Sequence, residues 1–236
     1  EKREQKKTQY QEVLKKQSRN EMVRKAAIWG GAALVLIASV WGLVLLSNST
    51  SSSSTDAPTS PPITKEDITI GSSSAKISLT EYADFQCPAC AAYHPFVSQL
   101  LTEFDGKIIF AYRFFPLFQV HKNAMTSAQA AYAAHQQGKF KDMYDMLFDT
   151  QNDWAEEPDP KNIFVEYAQK IDLDVDKFKS DMDSDETKEV IQKYLSQGTD
   201  AGVNSTPTFF LNNKKIENPG TYDNFKKLIE DELNKK

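Results

Sequence analysis

The stretch Lys76–Pro95, KISLTEYADFQCPACAAYHP, constrains this chain more than any other. It holds both cysteines of the chain, Cys87 and Cys90, separated only by Pro88 and Ala89. Ahead of them KISLTEYADF is β-prone, with Ile77, Leu79 and Phe85 as apolar positions; behind them AAYHPFVSQLLTEF has helical periodicity. The segment reads as a strand at Lys76–Ala83, a short turn, the CxxC, and a helix at Pro88–Phe104. A thiol at a helix N-terminus faces unpaired backbone N–H groups and the positive end of the helix dipole. Its pKa falls from about 8.5 into a range of roughly 3.5–7.5, which makes it a nucleophile near neutral pH. A second thiol three residues on closes a disulfide with it or resolves a mixed disulfide. Pro88 suits the first helical turn, where its missing N–H is no loss. Both cysteines sit in this motif, so none is left for a structural bridge.

The 236 residues do not read as one soluble unit. Residues 1–25 carry nine Lys/Arg and four Asp/Glu, a net +5, and read as a basic cytoplasmic tail. Ala26–Leu46 has no charged residue and is long enough to cross a bilayer as one helix, with Trp29 and Trp41 toward its ends. A cleaved signal peptide has a shorter apolar region and a small-x-small exit, which LLSNS does not offer, so an uncleaved anchor is expected. The basic flank before it places the N-terminus in the cytoplasm and all that follows Leu46 outside. Ser47–Pro62, SNSTSSSSTDAPTSPP, cannot build a core and reads as a tether. Beyond residue 25 the chain has 19 basic and 29 acidic residues, a net −10, which argues against nucleic acid as partner.

A folded domain is expected over 63–236. Ile68–Ile70 reads as a small edge strand. After the CxxC helix, Asp105-Gly106 turns the chain and KIIFAYRFF (107–115) is a second strong strand. Strand, helix, strand with a long crossover is a βαβ unit, hence parallel. Residues from about 121 to 202 are helical almost throughout, broken at Gly138, Pro158 and Pro160. Strands return at Thr208–Leu211 and Lys214–Ile216 around an Asn212-Asn213 turn, and an amphipathic helix covers Tyr222–Lys235.

Strand, CPAC, helix, strand, helical insert, then STPTFFLNN with a hairpin and a C-terminal helix: over about Ile63–Lys236 this resembles the DsbA-like branch of the thioredoxin superfamily, in its membrane-tethered bacterial form. The resemblance implies an α/β thioredoxin fold with a large helical insertion, preceded here by one transmembrane helix. In that family a cis proline faces the CxxC; Pro207 matches it and Thr206 matches the residue before it. An X–Pro bond is the one place where a cis peptide is cheap, and the backbone of Thr206 is then free to pair with an extended substrate. The family also buries an acid beneath the site. Glu81, six residues before Cys87, matches it, and strand alternation puts it with Leu79 and Ile77. A buried carboxylate with a raised pKa suits proton exchange with Cys90. The loop residues Pro88 and Ala89 depart from the Pro-His of strong oxidases; a histidine there would stabilise the thiolate, and Ala89 cannot.

The expected activity is thiol–disulfide exchange outside the cytosol, where exported cysteines are oxidised. The redox-active Cys87–Cys90 pair would serve as the only cofactor, without metal, since no second ligand cluster accompanies Cys87, Cys90 and His94. Exported proteins with free thiols are the expected substrates. A DsbB- or VKOR-type membrane protein is the expected reoxidant, and the chain is expected to be a monomer. Two alternatives stay open: a reductase or isomerase of the same fold, and a holdase whose groove near Pro207 captures unfolded chains. His94-Pro95 reads as a helix kink, His121 as a cap-region residue and His135 as a helix-surface residue; the aromatic stretch Phe110–Phe118 reads as core packing, with groove lining by some of its end, Phe115–Phe118, as the alternative.

Overall fold

The structure is a computed structural model, and it describes residues 58–235. The basic tail and the expected membrane helix at 26–46 lie outside the described residues. Among the described residues no helix is long and apolar enough to cross a membrane.

Five strands form one sheet: β1 (Ile68–Gly71), β2 (Ile77–Ala83), β3 (Ile108–Phe114), β4 (Thr208–Leu211) and β5 (Lys214–Lys215), in the spatial order β1-β3-β2-β4-β5. β2 and β3 pair in parallel, joined by α1 (Pro88–Glu103), so the expected βαβ unit is present. The β1–β3, β2–β4 and β4–β5 pairs are antiparallel. Asn212 and Asn213 both adopt positive φ, 50° and 65°, as the primed two-residue hairpin turn requires.

β2 is central and buried on both faces, so its residues from Leu79 onward are all covered. One face carries Leu79, Glu81, Phe110, Tyr112 and Phe209, and α1 packs on it with a stripe of Cys90, His94, Val97 and Leu100. The opposite face carries Tyr82 and Phe210, which cluster with Phe115, Ala201 and Val203. There the last turns of α7 (Asp185–Asp200) come so close that a Cβ on Gly198 would lie 2.7 Å from the Phe115 ring.

Between β3 and β4 the chain is helical: α2 (Ala124–His135), α3 (Phe140–Asp149), the single turn α4 (Gln151–Trp154), α5 (Lys161–Lys170), α6 (Val175–Asp183) and α7. Asp174 and Ser184 cap α6 and α7 by accepting from the N–H groups of Lys177 and Thr187. α8 (Tyr222–Leu233) returns to the sheet through Phe225, which meets Phe209 edge-on at 5.0 Å. Residues 58–62 are also held. Thr59 bridges Lys214, and the guanidinium of buried Arg113 donates to Ser60 Oγ (2.7 Å), Pro61 O (3.0 Å), Pro62 O (3.2 Å), Tyr82 Oη (3.0 Å) and Asp67 Oδ1 (2.8 Å).

Candidate active site

Cys87 is the N-cap residue of α1, with extended backbone (φ −72°, ψ 121°), and Pro88 takes the first helical position. No side chain caps this end, so the helix N–H groups point toward the Cys87 sulfur. Pro88 and Ala89 are exposed at the tip. Cys87 is 7% exposed and Cys90 fully buried one turn behind it; both are free thiols.

The two thiols titrate in opposite directions. Hydrogen bonding from Cys90 draws the Cys87 pKa from 9.0 down to about 5, against the cost of its burial, with help from Thr206 and the backbone N–H groups of Ala89 and Cys90. Burial pushes the Cys90 thiol well up, and its bond to Cys87 and the charge of Glu81 push further. Cys87 is thus the group that is ionised near neutral pH.

The Thr206–Pro207 bond is cis, and the Thr206 carbonyl accepts from Cys87 Sγ at 3.4 Å. That bond favours the protonated sulfur, whereas the Thr206 hydroxyl favours the thiolate. The hydroxyl dominates after ionisation, because Thr206 Oγ1 is buried without another partner and is free to turn its proton to the sulfur. Thr206, on the cis bond to Pro207, thus meets the sulfur of Cys87 from a point in the chain 119 residues away.

Glu81 lies on β2 between Tyr112 of β3 and Phe209 of β4, 1% exposed. Burial raises its pKa to about 8, and the nearby negative charge of Cys87 adds to the shift. The same charge coupling reaches Cys90. A neutral carboxyl of this kind can give up a proton at physiological pH and take one back.

Other residues hold the turn ahead of α1, and the sequence reading did not single them out. Asp84 accepts from Gln86 N (2.8 Å) and Leu117 N (2.9 Å) and meets His121 Nδ1 at 2.7 Å. Gln151 of α4 donates to Phe85 O (2.6 Å) and Cys87 O (3.1 Å). Gln86 donates to Ala155 O (2.6 Å) and accepts from Asn123 N (2.6 Å). The helical insertion therefore grips both sides of the active-site turn. Sequence carried no local signal for this, since Gln86 and Ala155, for example, are 69 residues apart.

His94 does more than mark a kink. It is buried against Phe148 and Tyr144, with Nε2 2.9 Å from Asp145 and Nδ1 3.5 Å from Asp149, and so ties α1 to α3. His135 is half-buried rather than on the surface, and burial lowers its pKa. Phe115 packs in the core, whereas Phe118 (52%) and Val120 (73%) are the exposed large apolar side chains among the described residues. They border a cavity of about 430 Å³ with Leu117, Leu195 and Asn204.

A family model described as thioredoxin matches residues 63–231. Among curated proteins, 149 residues are 34% identical to the Na(+)/H(+) antiporter NhaA 3 of Salinispora tropica, covering 63% of this chain and 22% of that protein. The NhaA antiporter of Herminiimonas arsenicoxydans is 30% identical over 69% of this chain and 25% of its own length. The chain thus spans about a quarter or less of these relatives. Among solved structures, oxidised BdbD from Bacillus subtilis superposes with a TM-score of 0.68 at 23% identity, covering 76% of this chain and 100% of that one. The α-DsbA1 protein of Wolbachia pipientis gives 0.64 at 20% identity, over 72% of this chain and 92% of that one. Both likenesses are of fold.

Proposed function

The chain belongs to the thioredoxin family, with the DsbA-like arrangement of that fold, and we propose on this premise that it is a thiol–disulfide oxidoreductase that introduces disulfides into exported proteins. The observation that carries the reading is the geometry of the pair: Cys87 at a helix N-terminus against the Thr206 carbonyl, and Cys90 buried one turn behind it, which lowers the pKa of the first thiol and raises that of the second.

In the oxidised protein a substrate thiolate attacks Cys87 Sγ. The Cys87–Cys90 bond breaks, a mixed disulfide forms, and Cys90 leaves as a thiolate that takes a proton from Glu81. A second substrate thiolate then attacks the substrate sulfur of the mixed disulfide. Cys87 departs as a thiolate, a good leaving group because its pKa is about 5. Two substrate thiols become one disulfide, and two electrons remain on the Cys87–Cys90 dithiol. Thr206 pairs with the extended substrate, and Phe118 and Val120 offer it an apolar wall. The reaction needs no metal and no organic cofactor.

The reading extends to the whole chain. The apolar segment 26–46 anchors it in the cell membrane, the catalytic domain works outside as a monomer, and a DsbB- or VKOR-type membrane protein takes the electrons away. Sodium–proton exchange, which the curated relatives' names state, is not carried over, because the match spans only 22% of NhaA 3. The test is a redox titration in glutathione buffers, read by mass-tagging Cys87 and Cys90. A potential well above the glutathione poise supports disulfide donation; one well below it points to a reductase of the same fold. A Cys87→Ala variant that keeps full cellular function would move the reading to a holdase.

A further inference from the structure

Three buried oxygens on the α1 side of the sheet have no hydrogen-bond partner: Glu81 Oε2 and the hydroxyls of Tyr112 and Tyr144. Tyr112 stands opposite Glu81 in the parallel β2–β3 register, so both side chains leave the sheet on one face. Tyr144 reaches them from α3 and meets the Tyr112 ring edge-on, with centroids 5.5 Å apart. All three residues are at most 1% exposed. Both phenols are pushed well up by burial and by the charges of Cys90 and Glu81, so they remain neutral hydroxyls that donate and accept at once. Buried polar atoms in native proteins are almost always paired. Three unpaired in one neighbourhood are complementary to one another, two hydroxyls that can donate and a carboxyl oxygen that can accept.

We propose that Tyr112 and Tyr144 are positioning residues for the Glu81 carboxyl: their hydroxyls turn to donate to it when it becomes charged. This rests on the disulfide-exchange reading above. When Cys90 leaves Cys87 as a thiolate, it takes the proton that Glu81 gives up. Cys90 ends as a thiol and Glu81 as a carboxylate. The carboxylate then accepts from the two phenols. When the mixed disulfide closes, the proton retraces its path.

The charged neighbours are otherwise engaged. Asp84, beyond β2, is bound to His121 and two backbone N–H groups. On α1, Cys87 bonds to Thr206 and His94 to Asp145. On α3, Asp145 also holds Lys141. β4 presents Phe209. Among the described residues no cation pairs with Glu81, which leaves the phenols as its donors.

The experiment compares Tyr112→Phe, Tyr144→Phe and the double variant in the full chain; each change removes only an oxygen. Glu81 is followed by carboxyl carbon NMR across pH, and disulfide closure by stopped-flow exchange. Donors favour the charged carboxyl, so each loss should raise the Glu81 midpoint by about one pH unit, a tenfold change. Closure should slow by a similar factor. Tyr167→Phe, which removes another unpaired buried hydroxyl on α5, should move neither. A double variant with an unchanged or lowered midpoint overturns the proposal. The carboxyl titration needs no turnover, so it decides this point even if the chain proves not to exchange disulfides.

Discussion

Oxidation of the Cys87–Cys90 pair is a perturbation whose energetic effect follows from the site. In the reduced protein the folded state holds Cys87 as a thiolate above pH about 5, whereas an unfolded chain keeps that proton until about pH 9. Between these limits the unfolded state binds one more proton, so stability rises with pH by about 1.4 kcal/mol per unit. Glu81 works the other way. Its folded pKa of about 8 lies above the ordinary 4.5, so between these values the folded state holds the extra proton and stability falls as pH rises. The oxidised protein retains Glu81 and loses the thiolate. The reduced form should therefore be nearly flat between pH 5 and 8, and the oxidised form should weaken. Taken as reduced minus oxidised stability, most of the Glu81 contribution cancels. The remainder grows by about 3 kcal/mol from pH 5 to 7 at full strength, and by about half that once solvent screening at the open tip is allowed for. Through the two-electron relation this makes the pair roughly 30–60 mV more oxidising at pH 7 than an unperturbed thiol would be. Urea unfolding of both forms at half-unit steps of pH measures it directly. A difference that stays constant from pH 5 to 8 would show that Cys87 is not held as a thiolate, and the oxidase reading would lose its physical basis.

Three further changes should have local and separable effects. Thr206→Val removes the hydroxyl that favours the thiolate and should raise the Cys87 pKa by up to about one unit, read as a shift in the pH profile of alkylation. Gln151→Leu leaves the Phe85 carbonyl without its donor, while Cys87 O keeps its helical bond from Ala91 N; urea midpoints should show a loss of about 1–3 kcal/mol, with slower thiol exchange. Gly198→Ala would drive a methyl to 2.7 Å from the Phe115 ring and 2.9 Å from Tyr82, and should cost about 1–3 kcal/mol by thermal unfolding; an unchanged midpoint would mean that α7 can back away from the sheet.

The layout of the site was legible because its parts are local in sequence. Strand, turn, CxxC and helix occupy one continuous stretch, and the Thr-Pro pair stands directly ahead of β4. The hairpin turn was legible for the same reason, since two asparagines take φ > 0 more readily than other side chains. What stayed hidden is pairing across distance. Asp84 and His121 are 37 residues apart, Gln151 and Phe85 are 66 apart, and Arg113 reaches Asp67 across 46. Apolar periodicity says which face of an element is buried; it does not say which polar group will meet which. The break between α3 and α4 at Thr150 was hidden too, because no glycine or proline marks it.

The Arg113 clamp also fixes where a covalent attachment to this domain begins. Pro58 accepts from Lys215 N at 3.0 Å and lines a groove with Ser205, Pro207 and Thr208. A cargo, probe or tag joined ahead of Pro58 is thus launched from beside the Ser205–Thr208 segment, whose Thr206 carbonyl meets Cys87. A short flexible join there would hold a thiol-bearing cargo near the reactive sulfur at an effective concentration in the millimolar range. The end of α8 lies elsewhere: Glu232 accepts from Asn212, which in turn accepts from Ser78 N at the start of β2, the strand end remote from Cys87. For anyone building fusions, the two ends of this domain are not equivalent: one delivers its load to the reactive groove, and the other leaves the groove free.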